Sequence, residues 1–214
     1  MSELLVTEIF RSIQGESSWA GYPCTFVRLT GCPLRCRWCD TAYSFSGGKP
    51  YSIAQIVDEV ARLGVPLVEL TGGEPLAQKQ APELINALLQ KGYKVLLETG
   101  GSESLAELPP GVHIIMDIKC PGSGMTDRMN GNNLKLLKAS DEIKFVVSSR
   151  EDFLWACRTI LDFALDKKFP LLFSPAWGLV TPQDLTQWIL ESGFQARLNL
   201  QLHKFIWGPR KRGV

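Results

Sequence analysis

The chain has only two histidines, no long apolar run and no excess of either charge. Each shortage removes a class of protein. Lys plus Arg number 23 against 22 for Asp plus Glu, a net charge of +1, so no global field draws the chain to nucleic acid or to a membrane surface. The one local bias, Pro209-Arg210-Lys211-Arg212, is expected to be a solvated terminus. Apolar stretches break off far short of the roughly 20 residues that span a bilayer. The N-terminal Met1-Ser2-Glu3-Leu4-Leu5 lacks the basic-then-apolar order of a secretory leader, so a cytoplasmic protein is expected. Internal repeats, low-complexity blocks and linkers are missing too, which predicts a single domain over residues 1–214.

What the sequence does have is an ordinary globular composition, 45% apolar and 21% charged, and six cysteines. Three of the six fall within eight positions. A disulfide framework suits small secreted chains without a full core, so a cysteine cluster here points to metal or redox chemistry.

Short apolar runs alternate with helical patterns. Val27-Arg28-Leu29 lies in a strand that leads to the cysteine loop. A helix is expected over Ser52–Leu63, with Ser52 and Gln55 forming a capping box. The strand Leu67-Val68-Glu69-Leu70-Thr71 follows, then a helix from Pro82 to Lys91 stopped by Gly92. Further strands are expected at Val95–Glu98, His113–Met116, Ile143–Val147, Leu171–Phe173 and near Leu198–Leu202. A short helix is expected near Leu134–Lys138, and one capped by Thr181 with Pro182 in its first turn. A long amphipathic helix from about Glu151 to Lys167 places Leu154, Cys157, Leu161 and Ala164 on one stripe, with Cys157 a buried small hydrophobe. Strands too apolar to face water, separated by helices, predict a parallel sheet covered by helices. Eight such units take about 250 residues, so a shorter α/β chain with about six predicts a partial, open (β/α)6-type barrel.

Cys32-Pro33-Leu34-Arg35-Cys36-Arg37-Trp38-Cys39 carries the most information. Three thiolates at these spacings reach three corners of one 4Fe-4S cubane and leave the fourth iron open to a ligand. Two alternatives stay open. A zinc site needs a fourth ligand, which His113 or His203 would bring from a distant strand. A thiol redox pair would use Cys36 and Cys39 and leave Cys32 unexplained. Thr71-Gly72-Gly73-Glu74-Pro75 directly follows a buried strand, where ligand-binding loops of parallel α/β folds gather. Its glycines allow close backbone approach to a ligand, and Glu74 offers an acceptor to an ammonium group.

The cysteine triad followed by Gly-Gly-Glu-Pro resembles the radical S-adenosylmethionine superfamily. That resemblance implies a reduced cluster that cleaves S-adenosylmethionine to methionine and a 5′-deoxyadenosyl radical. Further segments resemble the 7-carboxy-7-deazaguanine synthase family over nearly the whole chain. They are Glu8-Ile9-Phe10-Arg11-Ser12-Ile13-Gln14-Gly15-Glu16, Phe26-Val27-Arg28-Leu29 and Cys39-Asp40-Thr41 in the first part. Glu98-Thr99-Gly100-Gly101, Asp141-Glu142-Ile143-Lys144-Phe145 and Gln201-Leu202-His203-Lys204 continue it.

The resemblance implies a lyase of queuosine (7-deazapurine) biosynthesis, converting 6-carboxy-5,6,7,8-tetrahydropterin to 7-carboxy-7-deazaguanine with loss of ammonia. It implies Mg²⁺ at the Thr41 hydroxyl, a hard-oxygen ligand. It implies substrate contacts at Ile13, Gln14, Gly15, Arg28, Thr71 and His203, with Arg28 offering a fork to the carboxylate. Cofactor contacts are implied at Trp38, Cys39, Asp40, Gly73 and Glu74, at Asp117-Ile118-Lys119, and at Ser174-Pro175-Ala176-Trp177. A homodimer, explained by an uncovered sheet edge, and a flavodoxin or ferredoxin as electron donor are further implications.

Three features depart from the family pattern. Asp117 and Lys119 replace a polar-Pro-Lys form, Ser17 stands where glycine is frequent, and Gly208–Val214 extends past the point where some relatives end. Cys120, next to Lys119, is a candidate reactive thiol. The rival readings are a glycyl-radical activating enzyme and a non-catalytic zinc or electron-transfer module.

Overall fold

The computed structural model describes residues 3–214; Met1 and Ser2, part of the stretch read for a leader, lie outside them. Nine strands form one sheet in the order β3-β1-β2-β4-β5-β6-β7-β8-β9. They are β1 (Glu3–Ile13), β2 (Pro23–Leu29), β3 (Lys49–Ser52), β4 (Leu67–Gly72), β5 (Lys94–Thr99), β6 (His113–Asp117), β7 (Glu142–Val147), β8 (Leu171–Pro175) and β9 (Ala196–Leu198). β1 pairs antiparallel with both β2 and β3, and every later pairing is parallel. The sheet is a partial barrel, open between β3 and β9.

Helices α1 (Ile53–Leu63), α2 (Ala81–Gln90), α3 (Arg150–Phe163) and α4 (Pro182–Ser192) follow β3, β4, β7 and β8, and α5 (Leu202–Trp207) closes the chain. The connections β5–β6 and β6–β7 contain no α-helix among the described residues, only turns and 3-10 segments such as Gly131–Lys135. Caps act as the sequence predicts. The Ser52 hydroxyl accepts from Gln55 N while Gln55 Oε1 accepts from Ser52 N, and Thr181 accepts from Asp184 N.

Two boundaries and one helix phase differ from expectation. The last strand ends at Leu198, and the chain from Leu202 is helical, so His203 sits on a helix. α3 stops at Phe163 because Ala164 adopts a left-handed conformation, φ +50°. Its buried stripe is Phe153, Ala156 and Ile160, one position away from the expected one; Leu154 and Leu161 are exposed, and Cys157 is only half-buried.

Each strand alternates between two environments. Val27, Leu29, Val68, Leu70, Val95 and Leu97 face outward into the helix-covered core, joined by Ile143, Phe145 and Phe173. Between them, Phe26, Leu67, Leu96, Ile115 and Leu172 point inward and plug the barrel floor with Cys24, and Phe10 stacks on Phe26 at 5.1 Å. β1 reaches both environments through a bulge between Val6 and Glu8. Leu4 and Val6 pack outward, and one extra residue turns Glu8 and Phe10 inward.

Candidate active site

Above the apolar floor the same inward positions become polar. Arg28, Glu69, Glu98, Asp117 and Ser174, two residues further along their strands, line a cavity of about 560 Å³ together with Thr71, two residues beyond Glu69, and Lys144 on β7. This is the carboxyl end of the parallel strands, where α/β folds place ligands. The bulge in β1 sets Glu8 directly across from Arg28, whose Nε donates to Glu8 Oε1 at 2.7 Å. Tyr43 Oη donates to the same oxygen at 2.8 Å. Lys144 is buried between Glu16, at 3.0 Å, and Glu98. Burial alone would lower the Lys144 pKa, yet Glu16 and Glu98 carry it well above the usual range. Burial would raise Glu98, and Lys144 pulls it below the usual carboxylate value.

The cysteine loop joins β2 to β3 and is held on several sides. Gly31 N donates to Ser44 O at 2.8 Å, Arg37 N to Ser123 O at 3.2 Å, and Glu74 N to Gly31 O at 2.8 Å. The paired glycines serve this packing. A Cβ on Gly73 would sit 2.3 Å from Gly31 O and 2.7 Å from the Cys32 Cβ, so the β4 loop approaches the backbone of the cysteine loop itself. Cys32, Cys36 and Cys39 are free, half-buried and open on the one cavity. Burial raises the Cys32 and Cys36 pKa values, and Lys119 opposes the rise at Cys36. Three soft ligands with a nearby ammonium fit an iron–sulfur cluster, which displaces the thiol protons on binding. Among the described residues no three His, Cys, Asp or Glu side chains converge on a single-ion position.

Most of the expected contact residues line this cavity. Ile13, Gln14 and Gly15 do so from the end of β1, and Trp38, Asp40 and Thr41 from the cysteine loop. Gly73, Asp117, Lys119 and the Ser174-Pro175-Ala176-Trp177 turn complete the rim. Ile118 is the exception: its side chain packs against the outer core while its N–H donates to Lys144 O at 2.8 Å. Asp117 binds Lys119 Nζ through Oδ2 at 2.7 Å, and its buried Oδ1 has no partner. The Thr41 hydroxyl makes no cap bond and lies 3.6 Å from Cys39 Sγ. His203 stacks its ring where a Gly15 side chain would stand, with Nδ1 2.5 Å from that Cβ position. Burial lowers its pKa, and Lys204 adds to this against Glu16 and Asp40, which favours the neutral imidazole.

Several of these residues also have structural partners of their own. Glu74 is fully buried and already accepts from Leu76 N, Thr99 Oγ1 and Gly100 N, so it locks the β4 loop to the end of β5. Cys120 is fully buried and burial pushes its thiol well up, which makes it inert. Residues 209–213 are exposed, as a solvated terminus should be, and they also border the cavity, with the Arg212 guanidinium 4.0 Å above the Tyr43 ring. Ser17 takes φ +63°, the left-handed region where glycine is at ease. Its N–H donates to Asn199 Oδ1 at 2.7 Å and its Oγ accepts from Trp19 N at 3.1 Å.

Glu8, Tyr43, Glu69 and Lys144 line the cavity too, although the family resemblance does not imply them as site residues. The signal for Glu69 and Lys144 was a lone charge in an otherwise apolar strand.

An open parallel barrel with three cysteines at its mouth defines a class, and comparison agrees. Residues 26–133 match the model of the Radical SAM superfamily, to which the chain belongs; a 4Fe-4S cluster and S-adenosylmethionine are the cofactors of that class. It is 46% identical to the 7-carboxy-7-deazaguanine synthase of Koribacter versatilis, over 98% of this chain and 99% of the relative. Identity to the synthase of Chlorobaculum tepidum is 44%, over 99% and 97%. The chain belongs to the 7-carboxy-7-deazaguanine synthase family, radical S-adenosylmethionine lyases of 7-deazapurine biosynthesis. In fold it is similar to the crystal structure of QueE from Escherichia coli, with a TM-score of 0.78 at 22% identity, covering 95% of this chain and 96% of that one. Streptococcus suis SuiB, solved with S-adenosylmethionine bound, matches with a TM-score of 0.54 at 14% identity over 76% of this chain and 41% of that one.

Proposed function

We propose that residues 1–214 act as a single radical S-adenosylmethionine domain that converts 6-carboxy-5,6,7,8-tetrahydropterin to 7-carboxy-7-deazaguanine and ammonia. The observation that carries this reading is one cavity shared by the cysteine loop, the β1 hairpin end and the charged inner strand positions. When bound, the cluster and S-adenosylmethionine supply a primary carbon radical able to abstract hydrogen.

The chain's own residues do the rest. Arg28 offers its terminal nitrogens, which have no partner among the described residues, to the substrate carboxylate, while Glu8 fixes its Nε. Gln14, the Gly15 backbone and Thr71 read the pterin edge, and His203 packs over Gly15. Trp38, Asp40, Gly73, Asp117, Ile118 (through its backbone), Lys119 and the turn at Ser174–Trp177 cradle the cofactor. The Thr41 hydroxyl, which makes no cap bond and meets Cys39 Sγ, takes Mg²⁺. Arg210–Arg212 border the mouth of the cavity and add positive charge there.

A flavodoxin or ferredoxin supplies electrons, approaching the exposed Arg37 beside Cys36. All six cysteines are unpaired, which suits the reducing cytoplasm. The sheet edges give a homodimer little support, because β3 is blunted by Lys49 and Pro50 and β9 has three residues. Exposed Trp177, Leu179, Phe205, Ile206 and Trp207 give a better reason.

The test is anaerobic reconstitution. With reductant, S-adenosylmethionine, Mg²⁺ and carboxytetrahydropterin, the protein should release a deazapurine and contain about four irons per chain. No deazapurine, or one zinc in place of iron, overturns the reading.

A further inference from the structure

One acid on the barrel's inner face has no cation of its own. Glu69 on β4 is 3% exposed, lines the cavity, and accepts a hydrogen bond from the Gln14 side-chain amide. The groups facing it are committed elsewhere. From β2, Arg28 is held by Glu8 and the Cys24 thiol is buried in the floor. From β7, Lys144 is shared by Glu16 and Glu98. Three carboxyls thus compete for one lysine, and among the described residues no cation stands within ion-pair distance of Glu69.

Gln14 is equally constrained. Its backbone N–H donates to Tyr22 O at 2.8 Å and its Oε1 accepts from Glu16 N at 3.0 Å, which leaves Nε2 aimed at Glu69. Burial, with Glu98 and Glu16 adding to it against Lys144 and Arg28, pushes the Glu69 carboxyl well above its ordinary range. A buried carboxylate without a cation takes up a proton instead of standing charged.

We propose that Glu69 is a recognition residue of the cavity floor that gives up its proton when the N–H edge of the heterocyclic substrate docks against it. This rests on the pterin assignment above. A 2-amino-4-oxo pyrimidine ring presents two adjacent N–H donors, and an ionised carboxylate accepts both at once. With Gln14 Nε2 as a further donor, the ring supplies the partners that the floor lacks. One O–H bond of Glu69 breaks, the proton leaves to solvent, the electron pair stays on the carboxylate, and the substrate keeps its protons. Nothing is oxidised or reduced.

The experiment is anaerobic calorimetry of the cluster-loaded, S-adenosylmethionine-bound protein with carboxytetrahydropterin, without reductant so that turnover is blocked. Titrations run in phosphate and in Tris between about pH 6 and pH 8. The expected result is release of about one proton per ligand, with Kd tightening up to about tenfold per pH unit below the free-state pKa. Glu69→Gln keeps the shape and the acceptor for Gln14, and should bind about tenfold more weakly with buffer-independent heat. Should that variant not fold, Glu69→Asp retains the carboxyl and should bind more weakly while still releasing the proton. Binding without proton release in the wild type, or unchanged release in Glu69→Gln, overturns the proposal and leaves the pterin assignment standing. No binding at all overturns both.

Discussion

The two faces of the central sheet are built to different rules. Outside, Val27, Leu70, Leu97, Phe145 and Phe173 pack with α1–α4 in a continuous apolar core. Inside, apolar residues stop at the floor, and the next inward position of each strand carries Arg28, Glu69, Glu98, Asp117 or Lys144. The outer face yields stability through buried area. The inner face spends part of that stability on charges held ready for a ligand, and it tolerates them because most meet a partner. Substitutions on the two faces should therefore fail in different ways.

The largest effects belong to the mouth above the inner face. Replacing Cys32, Cys36 or Cys39 with Ala should abolish cluster absorbance and product formation while leaving urea stability nearly unchanged. Gly73→Ala should come next. Its methyl would press on Gly31 O and Cys32, so iron content per chain should fall sharply even though no ligand is removed. Full iron content in Gly73→Ala would show that the two loops move apart freely.

Lys144 and its sequence neighbour Phe145 compare the faces directly. Phe145→Ala leaves an outer cavity and should cost about 3–5 kcal/mol at every pH where the protein folds. Lys144→Met strands Glu16 and Glu98, and should cost a similar about 3–5 kcal/mol near neutral pH. The pH dependence separates them. Glu98 is held below its usual pKa, so its pairing contributes stability above the unfolded carboxylate value and loses it as pH falls through the folded one. The gap between wild type and Lys144→Met should narrow in acid, and the gap for Phe145→Ala should not. Urea midpoints across pH check both.

Helix α3 shows how far the sequence carried the fold. Its cap at Ser149, near the expected start, and its amphipathic character were legible, but its phase was not. Leu154, Cys157 and Leu161 make as regular an apolar stripe as Phe153, Ala156 and Ile160, and only the sheet decides which one faces inward. Ile160→Ala should cost about 2–5 kcal/mol, and Leu161→Ala less than about 0.5 kcal/mol. The same logic governs the site. The cysteine triad and the Gly-Gly-Glu-Pro loop are local in sequence and could be read there. The Glu8–Arg28 pair depends on a bulge, and the Lys144 triad on three separate segments. The cavity position of Arg210–Arg212 depends on how α5 docks, with Leu202 N on Gly15 O and Lys204 on Asp40. No local pattern announces these.

Ser17 gives the smallest and most local test. A family pattern that prefers glycine there has a physical cause in φ +63°, which costs a side-chain-bearing residue roughly 1–2 kcal/mol. Serine offsets part of that through its Oγ bond from Trp19 N, while the backbone bond to Asn199 survives any substitution. Ser17→Ala keeps the strained backbone and loses the Oγ bond, so it should lower stability by about 1 kcal/mol. Ser17→Gly loses the same bond but relieves the strain, and should exceed the alanine variant by about 1 kcal/mol in urea denaturation. In a helix or strand the order would reverse, because glycine loses more backbone freedom on folding. Alanine above glycine at this position would mean that the β1–β2 turn relaxes out of the left-handed region, and would free Glu16 from the register that brings it to Lys144.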